Sequence, residues 1–338
     1  MKNWTIKAGA GLCAALLLPV LASASDTKNC YLRDAAPAGN NAAYLLCEQG
    51  LVYSTTDGGA NWTSNDTGAA VTLHGIAFPD TTHGIVVGEE GTVLATEDGA
   101  KTWQPRTSDT KEHLLSVFAL GNLVWTSGFD GIMLHSTDGG RTWAKQNSGT
   151  SMALESVYFL DADHGWAVGW SGTILRTNNG GKTWETIKTD AATWSLASVH
   201  FFDAKNGFAV GFSGQLLRSK DGGTTWEALK SPSQSWLTSV AMDRANRIWI
   251  AGDDQLVYSE DGGNKWNAVP VDGKFFVSRM FPLGNSLVAL AELGILRPTG
   301  NGLQWKHDET FLPAGAQIGN SLSDTPTAST TPATGTGK

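Results

Sequence analysis

The sequence predicts an all-β fold, a seven-bladed β-propeller with a repeat of about 41 residues. Three observations predict it. A tryptophan recurs at Trp62, Trp103, Trp143, Trp184, Trp226, Trp266 and Trp305, at spacings of 41, 40, 41, 42, 40 and 39 residues. A polar, glycine-rich turn precedes each one, as in SKDGGTTW ending at Trp226. Each period also holds four short β-type runs separated by turns.

The fourth period shows the four runs plainly: ESVYF as strand A, GWAVG as B, TILRT as C and TWETI as D. Four strands per repeat make one propeller blade. No window carries a sustained 3.6-residue apolar stripe, which excludes helical repeats. Tight Asp-Gly-Gly turns join antiparallel neighbours and disfavour a β-helix. The blades run from about residue 30 to about 312, within a domain spanning 25–320.

The recurrent turn reads as structural. Gly222 and Gly223 supply the positive φ angles of a tight C–D turn. The Asp221 carboxylate accepts hydrogen bonds from backbone N–H groups in that turn, and Ser219 adds a hydroxyl. Trp226 then buries its ring at the start of strand D, worth roughly 2–3 kcal/mol. Asp57, Asp98, Asp138 and Asp261 occupy the same slot, and Asn179 replaces the acid in the fourth repeat. A turn cap tolerates an amide there; a general acid or metal ligand does not.

Residues 1–24 read as a signal peptide, with Lys2 and Lys7 ahead of an apolar stretch and Ala22-Ser23-Ala24 as a small-x-small cleavage site. The apolar stretch is too short for a transmembrane span. The reading is an exported, soluble protein of a periplasm or thylakoid lumen, not itself membrane-spanning. Residues 321–338 are rich in Ser, Thr and Pro and read as a disordered tail. Charged residues are only 17% of the chain and the net charge is −8, which argues against a nucleic-acid partner. Export leaves Cys30 and Cys47 as a pair. They fall at the start of strand A and the end of strand B in the first blade, which makes them cross-strand neighbours and predicts a disulfide. A strand donated to blade one by residues 311–318 is the alternative way to close the ring.

The pattern Ser/Thr-x-Asp-x-Gly-x-x-Trp is the Asp-box, or bacterial neuraminidase repeat. The longer HGWAVGWSGTILRTNNGGKTW, echoed by NGFAVGFSGQLLRSKDGGTTW, resembles the photosystem II stability/assembly factor family of seven-bladed propellers. That resemblance implies a non-enzymatic assembly scaffold whose partner is a membrane-protein complex subunit or peptide segment. It also implies an arginine-rich partner surface, for which Arg176 and Arg218, with Arg297, are the matching strand C positions.

Antiparallel blades sort the loops onto two faces. The A–B and Asp-box turns share the bottom, and the B–C loops and D–A links share the top. The top loops vary, as binding loops on a rigid scaffold do. Trp170 and Phe212 open B–C loops, and Trp194, Trp236 and Phe275 lie on D–A links. These five predict an aromatic binding patch, bordered by acids such as Glu89, Asp130 and Asp253. Phe276 aligns with Leu73 and Leu237 and is expected in the core. The alternative is that the five rings pack between blades.

Enzyme readings lack residues. A sialidase needs three convergent arginines and a Tyr–Glu pair, and the usual Arg-Ile-Pro signature is absent. A xyloglucanase-like glycosidase needs paired acids, for which Asp130 and Asp253 are no better placed than other loop acids. A periplasmic glycan-binding or sialidase-like propeller remains the competing class. No zinc spacing, phosphate loop or nucleophile elbow occurs, so no catalytic residue, cofactor or metal is expected. His83 and His164 read as A–B turn residues.

Overall fold

The computed structural model describes residues 30–291, 294–300, 302–308 and 311. Residues 1–24, read above as a signal peptide, the tail at 321–338 and residues 312–318 lie outside the described residues. Seven four-stranded antiparallel sheets are present, each made of four strands consecutive in sequence and in the spatial order A-B-C-D. Strands A (Leu32–Ala38 in blade one, Leu154–Phe159 in blade four, Val277–Leu283 in blade seven) stand innermost. They line a central channel of about 400 Å³.

Strands B are buried almost throughout, completely so in Gly165–Gly169, because neighbouring blades cover both their faces. Strands D are short and largely exposed, down to Glu185–Thr186 in blade four. Exposed, very short edge strands resist pairing with another chain.

Stacked rings hold the seams between blades. Trp166 of blade four lies flat on Phe201 of blade five at 3.6 Å between centroids. The Asp-box Trp226 meets the same Phe201 edge-on at 5.7 Å and 86°. Trp125, Phe159 and Trp184 repeat this arrangement between blades three and four, and Tyr44, Phe78 and Trp103 between blades one and two. Each forward-reaching ring also spends its polar atom on the next blade's backbone: Trp166 Nε1 donates to Gly222 O (3.1 Å), Trp125 Nε1 to Gly180 O (3.1 Å) and Tyr44 Oη to Thr81 O (2.6 Å). The phenylalanine explains why strand B starts with glycine. A Cβ on Gly207 would sit 2.5 Å from the Phe201 ring.

The Asp-box turns are hydrogen-bonded caps. Ser219 Oγ donates to Asp221 Oδ1 (2.9 Å), and Asp221 accepts from Thr225 N (2.9 Å) and Thr225 Oγ1 (2.6 Å). Gly222 and Gly223 have φ of 72° and 80°. Asn179 reproduces the cap: its Oδ1 accepts from Thr177 Oγ1 and Thr183 N (both 3.0 Å), and its Nδ2 donates to Thr183 Oγ1. Hydrogen bonds to the charged form hold the carboxyls of Asp57, Asp98 and Asp138 at about 2, the largest coming from the side chains of Asn61, Thr102 and Thr142.

Blade seven packs on blade one to close the ring. Each of these two blades supplies its own strand D, Thr63–Asp66 and Gln304–His307, so no strand is exchanged among the described residues. Cys30 and Cys47 form a disulfide, with Cα atoms 5.2 Å apart. Phe311 is buried at this seam against Tyr53 and Trp62 of blade one.

Candidate functional site

On the top face the B–C connections of blades two to five are 3₁₀ turns: Glu89–Gly91, Phe129–Gly131, Trp170–Gly172 and Phe212–Gly214. Each holds its second residue at positive φ, from 52° to 54°. Trp170 and Phe212 are 47% and 41% exposed, and Trp194, on the link into blade five, is 56% exposed. Exposed rings of this size on one face need an explanation, because a folded protein rarely leaves them unburied in a cluster.

The rings form two runs along the rim. His113 stacks on Phe129 (5.3 Å, 26°), and Phe129 meets the edge of Trp170 (5.7 Å). Phe212 stacks on Trp236 (4.5 Å, 18°), and Trp236 contacts Phe276 (5.4 Å). Trp170 Nε1 donates to Glu155 Oε1 at 2.6 Å, which fixes the indole without burying it. Trp236 Nε1 is buried without a hydrogen-bond partner among the described residues. The second run borders the channel mouth, a pocket of about 120 Å³ lined by Arg33, Asp34, Glu155, Trp236, Phe276 and Arg279, and Trp170 reaches its wall through Glu155. Burial raises the Asp34 carboxyl above its ordinary range, although Arg279 and two backbone N–H groups oppose this.

Four of the five sequence-proposed rings therefore stand on the top face, with Trp236 half-buried between Phe212 and Phe276. Phe275 does not join them and must be corrected. It is buried in the core between blades six and seven. The reason is register: Val277, not Phe276, takes the place of Leu73 and Leu237, because Val277 pairs with Ala291 as Leu73 pairs with Gly88. Asp254 Oδ1 accepts from Phe275 N (2.8 Å) and anchors that turn. Sequence reasoning missed Phe129 as a patch member, although it opens a B–C turn like Trp170. Glu292 and Leu293, at the equivalent loop of blade seven, lie outside the described residues.

Arg218 and Arg297 are engaged within the ring. Arg218 is 8% exposed; its Nε donates to Glu227 Oε1 (2.7 Å), and its Nη1 to Gly262 O (2.6 Å) and Asn264 Oδ1 (3.0 Å) of blade six. Arg297 pairs with Asp308 and reaches Gly58 O and Gly59 O of blade one. Arg176 stands beside the Gly222 turn of blade five, with Nη2 3.8 Å from where a Cβ there would lie. All three end strand C against the next blade's Asp-box turn, and all three lie on the bottom.

His83 and His164 bind Asp80 and Asp161 of their own turns at 2.9 Å. A different grouping was invisible in the sequence. His74 and Glu89 of blade two and His113 of the link into blade three bring their ligand atoms within 4.8 Å of one another.

A family model for photosynthesis system II assembly factor YCF48 matches residues 65–152 and 186–279, together more than half of the chain. The chain belongs to the YCF48 family. The match takes in the B–C turns of blades two, three and five, Glu89–Gly91, Phe129–Gly131 and Phe212–Gly214, and leaves out Trp170–Gly172 of blade four. Among curated proteins none matches the sequence. Solved structures similar to this YCF48-family chain include YCF48 bound to D1 peptide, with a TM-score of 0.59 at 23% identity, covering 72% of this chain and 84% of that one. The WD40 β-propeller domain of Doa1 gives 0.63 at 11%, covering 77% and 89%. An ancestral GH74 enzyme gives 0.64 at 13%, covering 82% and 46%. At these identities the likeness establishes the propeller fold and nothing finer. Among the described residues no helix is long and apolar enough to cross a membrane.

Proposed function

We propose that this propeller is a non-enzymatic assembly scaffold that captures a segment of a membrane-protein subunit on its top face. The observation that carries the reading is the set of exposed rings, Trp170, Trp194 and Phe212, with Phe129 and Trp236 completing the rim. Aromatic side chains dominate the energetics of protein interfaces, and rigid indoles lose little entropy on binding. Family membership supports the reading, and so does a related YCF48 structure solved with a D1 peptide. The Tyr44 and Tyr158 hydroxyls donate to backbone carbonyls of the next blade, a structural use that supports a non-catalytic role. The segment at residues 1–24 would deliver the protein to a periplasm or lumen, the side from which lumenal loops of a client are reached.

The test is capture of membrane-protein subunits from detergent-solubilised membranes, run beside a glycan array. Capture in the wild type, weakened about tenfold or more in Trp170→Ala and Trp194→Ala at unchanged melting temperature, is expected for interface anchors. Binding to glycans alone would replace this reading with the glycan-directed one.

A further inference from the structure

We propose that His74, Glu89 and His113 form a binding site for one zinc-type divalent transition-metal ion at the top of the seam between blades two and three. Two imidazoles and a carboxylate are the ligand set that borderline ions such as Zn²⁺ prefer over hard cations. Their ligand atoms lie within 4.8 Å of one another. Tetrahedral zinc with bonds of about 2.0–2.1 Å needs ligand atoms roughly 3.3 Å apart. Small rotations of two half-exposed side chains cover the difference, since Glu89 and His113 are 35% and 39% exposed.

The backbone beneath all three is already fixed. His74 sits in the innermost strand of blade two, Leu73–Ala77. Glu89 N donates to Thr72 O (2.9 Å), and Phe129 N donates to His113 O (2.9 Å). The His113 ring is further oriented by its stack on Phe129. His74 Nδ1 is buried and has no hydrogen-bond partner among the described residues, an arrangement that folded proteins rarely leave. The Arg33 charge opposes a dication, but Arg33 is paired with Glu48 at 3.4 Å and Glu89 supplies the compensating charge.

Three protein ligands leave a fourth position for water or an incoming donor. The ion would join blade two to the link entering blade three, beside the Phe129 and Trp170 rings. The site stands independently of what the aromatic rim binds.

The test uses the exported protein purified without a histidine tag and stripped with chelator. Zn²⁺ is titrated by calorimetry, and Co²⁺ is followed by its visible absorption. We expect one ion per chain, with a dissociation constant on the order of micromolar and Co²⁺ bands of a four-coordinate site. Affinity falls at least about tenfold in both His113→Ala and Glu89→Gln, and stays unchanged in His83→Ala. Glu89→Gln preserves the side chain's size, so it reads the site even if His113→Ala folds poorly. No saturable uptake below about 100 μM, or uptake unchanged in Glu89→Gln and His113→Ala, overturns the proposal.

Discussion

The indole of Trp166 lies parallel to the ring of Phe201, 3.6 Å away, across the seam between blades four and five. Both rings are almost completely buried, and Trp226 closes the sandwich from the side. This pair couples the Asp-box of one blade to the core of the blade before it, so its loss should be felt by the whole ring. Phe201→Ala is expected to destabilise the fold by about 3–5 kcal/mol. Trp166→Phe should cost less, since it keeps the stack and forfeits mainly the bond to Gly222 O. Denaturant unfolding of the two variants checks the order.

Arg218 supplies a test that separates masonry from binding. Its guanidinium is spent on Glu227 and on the carbonyl of Gly262 in blade six. Arg218→Ala should cost about 2 kcal/mol by leaving that carbonyl and Asn264 without a donor. Client capture by the folded protein should be unchanged. Reduced capture with unaltered stability would restore Arg218 to a partner surface.

Acid should unfold the propeller in two windows. His200, half-buried in the channel wall, has its pKa lowered to about 4 by desolvation and by Arg279. A histidine held neutral in the fold takes up its proton more readily when unfolded, so stability falls as pH drops from about 6.5 to about 4 and this contribution then levels off. The Asp-box carboxyls act lower. With folded values of about 2 at Asp57, Asp98 and Asp138, against 3.8 ordinarily, their contribution is intact above the unfolded value and is lost as pH falls through about 2. Chemical denaturation across pH should show both slopes. His200→Gln should flatten the first, and Asp138→Asn should shallow the second without breaking the turn, since Asn179 already caps one.

Reduction of the disulfide should loosen the seam where the chain ends meet. The cysteines are 17 residues apart in sequence, and opening so short a loop is expected to cost about 3 kcal/mol. Melting with and without reductant measures it. Free thiols in the protein purified without reductant, seen by non-reducing mass spectrometry, would contradict the bond.

The blades were legible because one structural problem is solved seven times. Every Asp-box must end strand C, turn tightly and bury a ring, so Trp62 to Trp305 keep their spacing. What a repeat alignment hides is contact between blades. Arg218 looks like a loose charge beside its own turn until blade six is placed against it. His74, Glu89 and His113 are separated by 15 and 24 positions and share no motif; only the seam brings them together. Phe275 is misplaced by one register step, although Val277 follows Trp266 by the same 11 residues that separate Trp62 from Leu73 and Trp226 from Leu237. The top-face rings Trp170, Trp194 and Phe212 were legible for the opposite reason: they depart from a repeat that otherwise explains itself.

One set of seam contacts runs the same way round the ring. Tyr44, Trp125 and Trp166 reach from one blade into the next, and Arg218 and Arg297 do so below them, the last from blade seven back to blade one. A linear repeat array has end units that can fray without consulting the middle. Here these donors find their acceptors in the following unit, and Arg297 brings the series back to blade one. Removing any one blade would leave unmet groups on both sides of the gap, so the ring should melt as a single cooperative unit and resist the stepwise shortening that open repeat arrays tolerate.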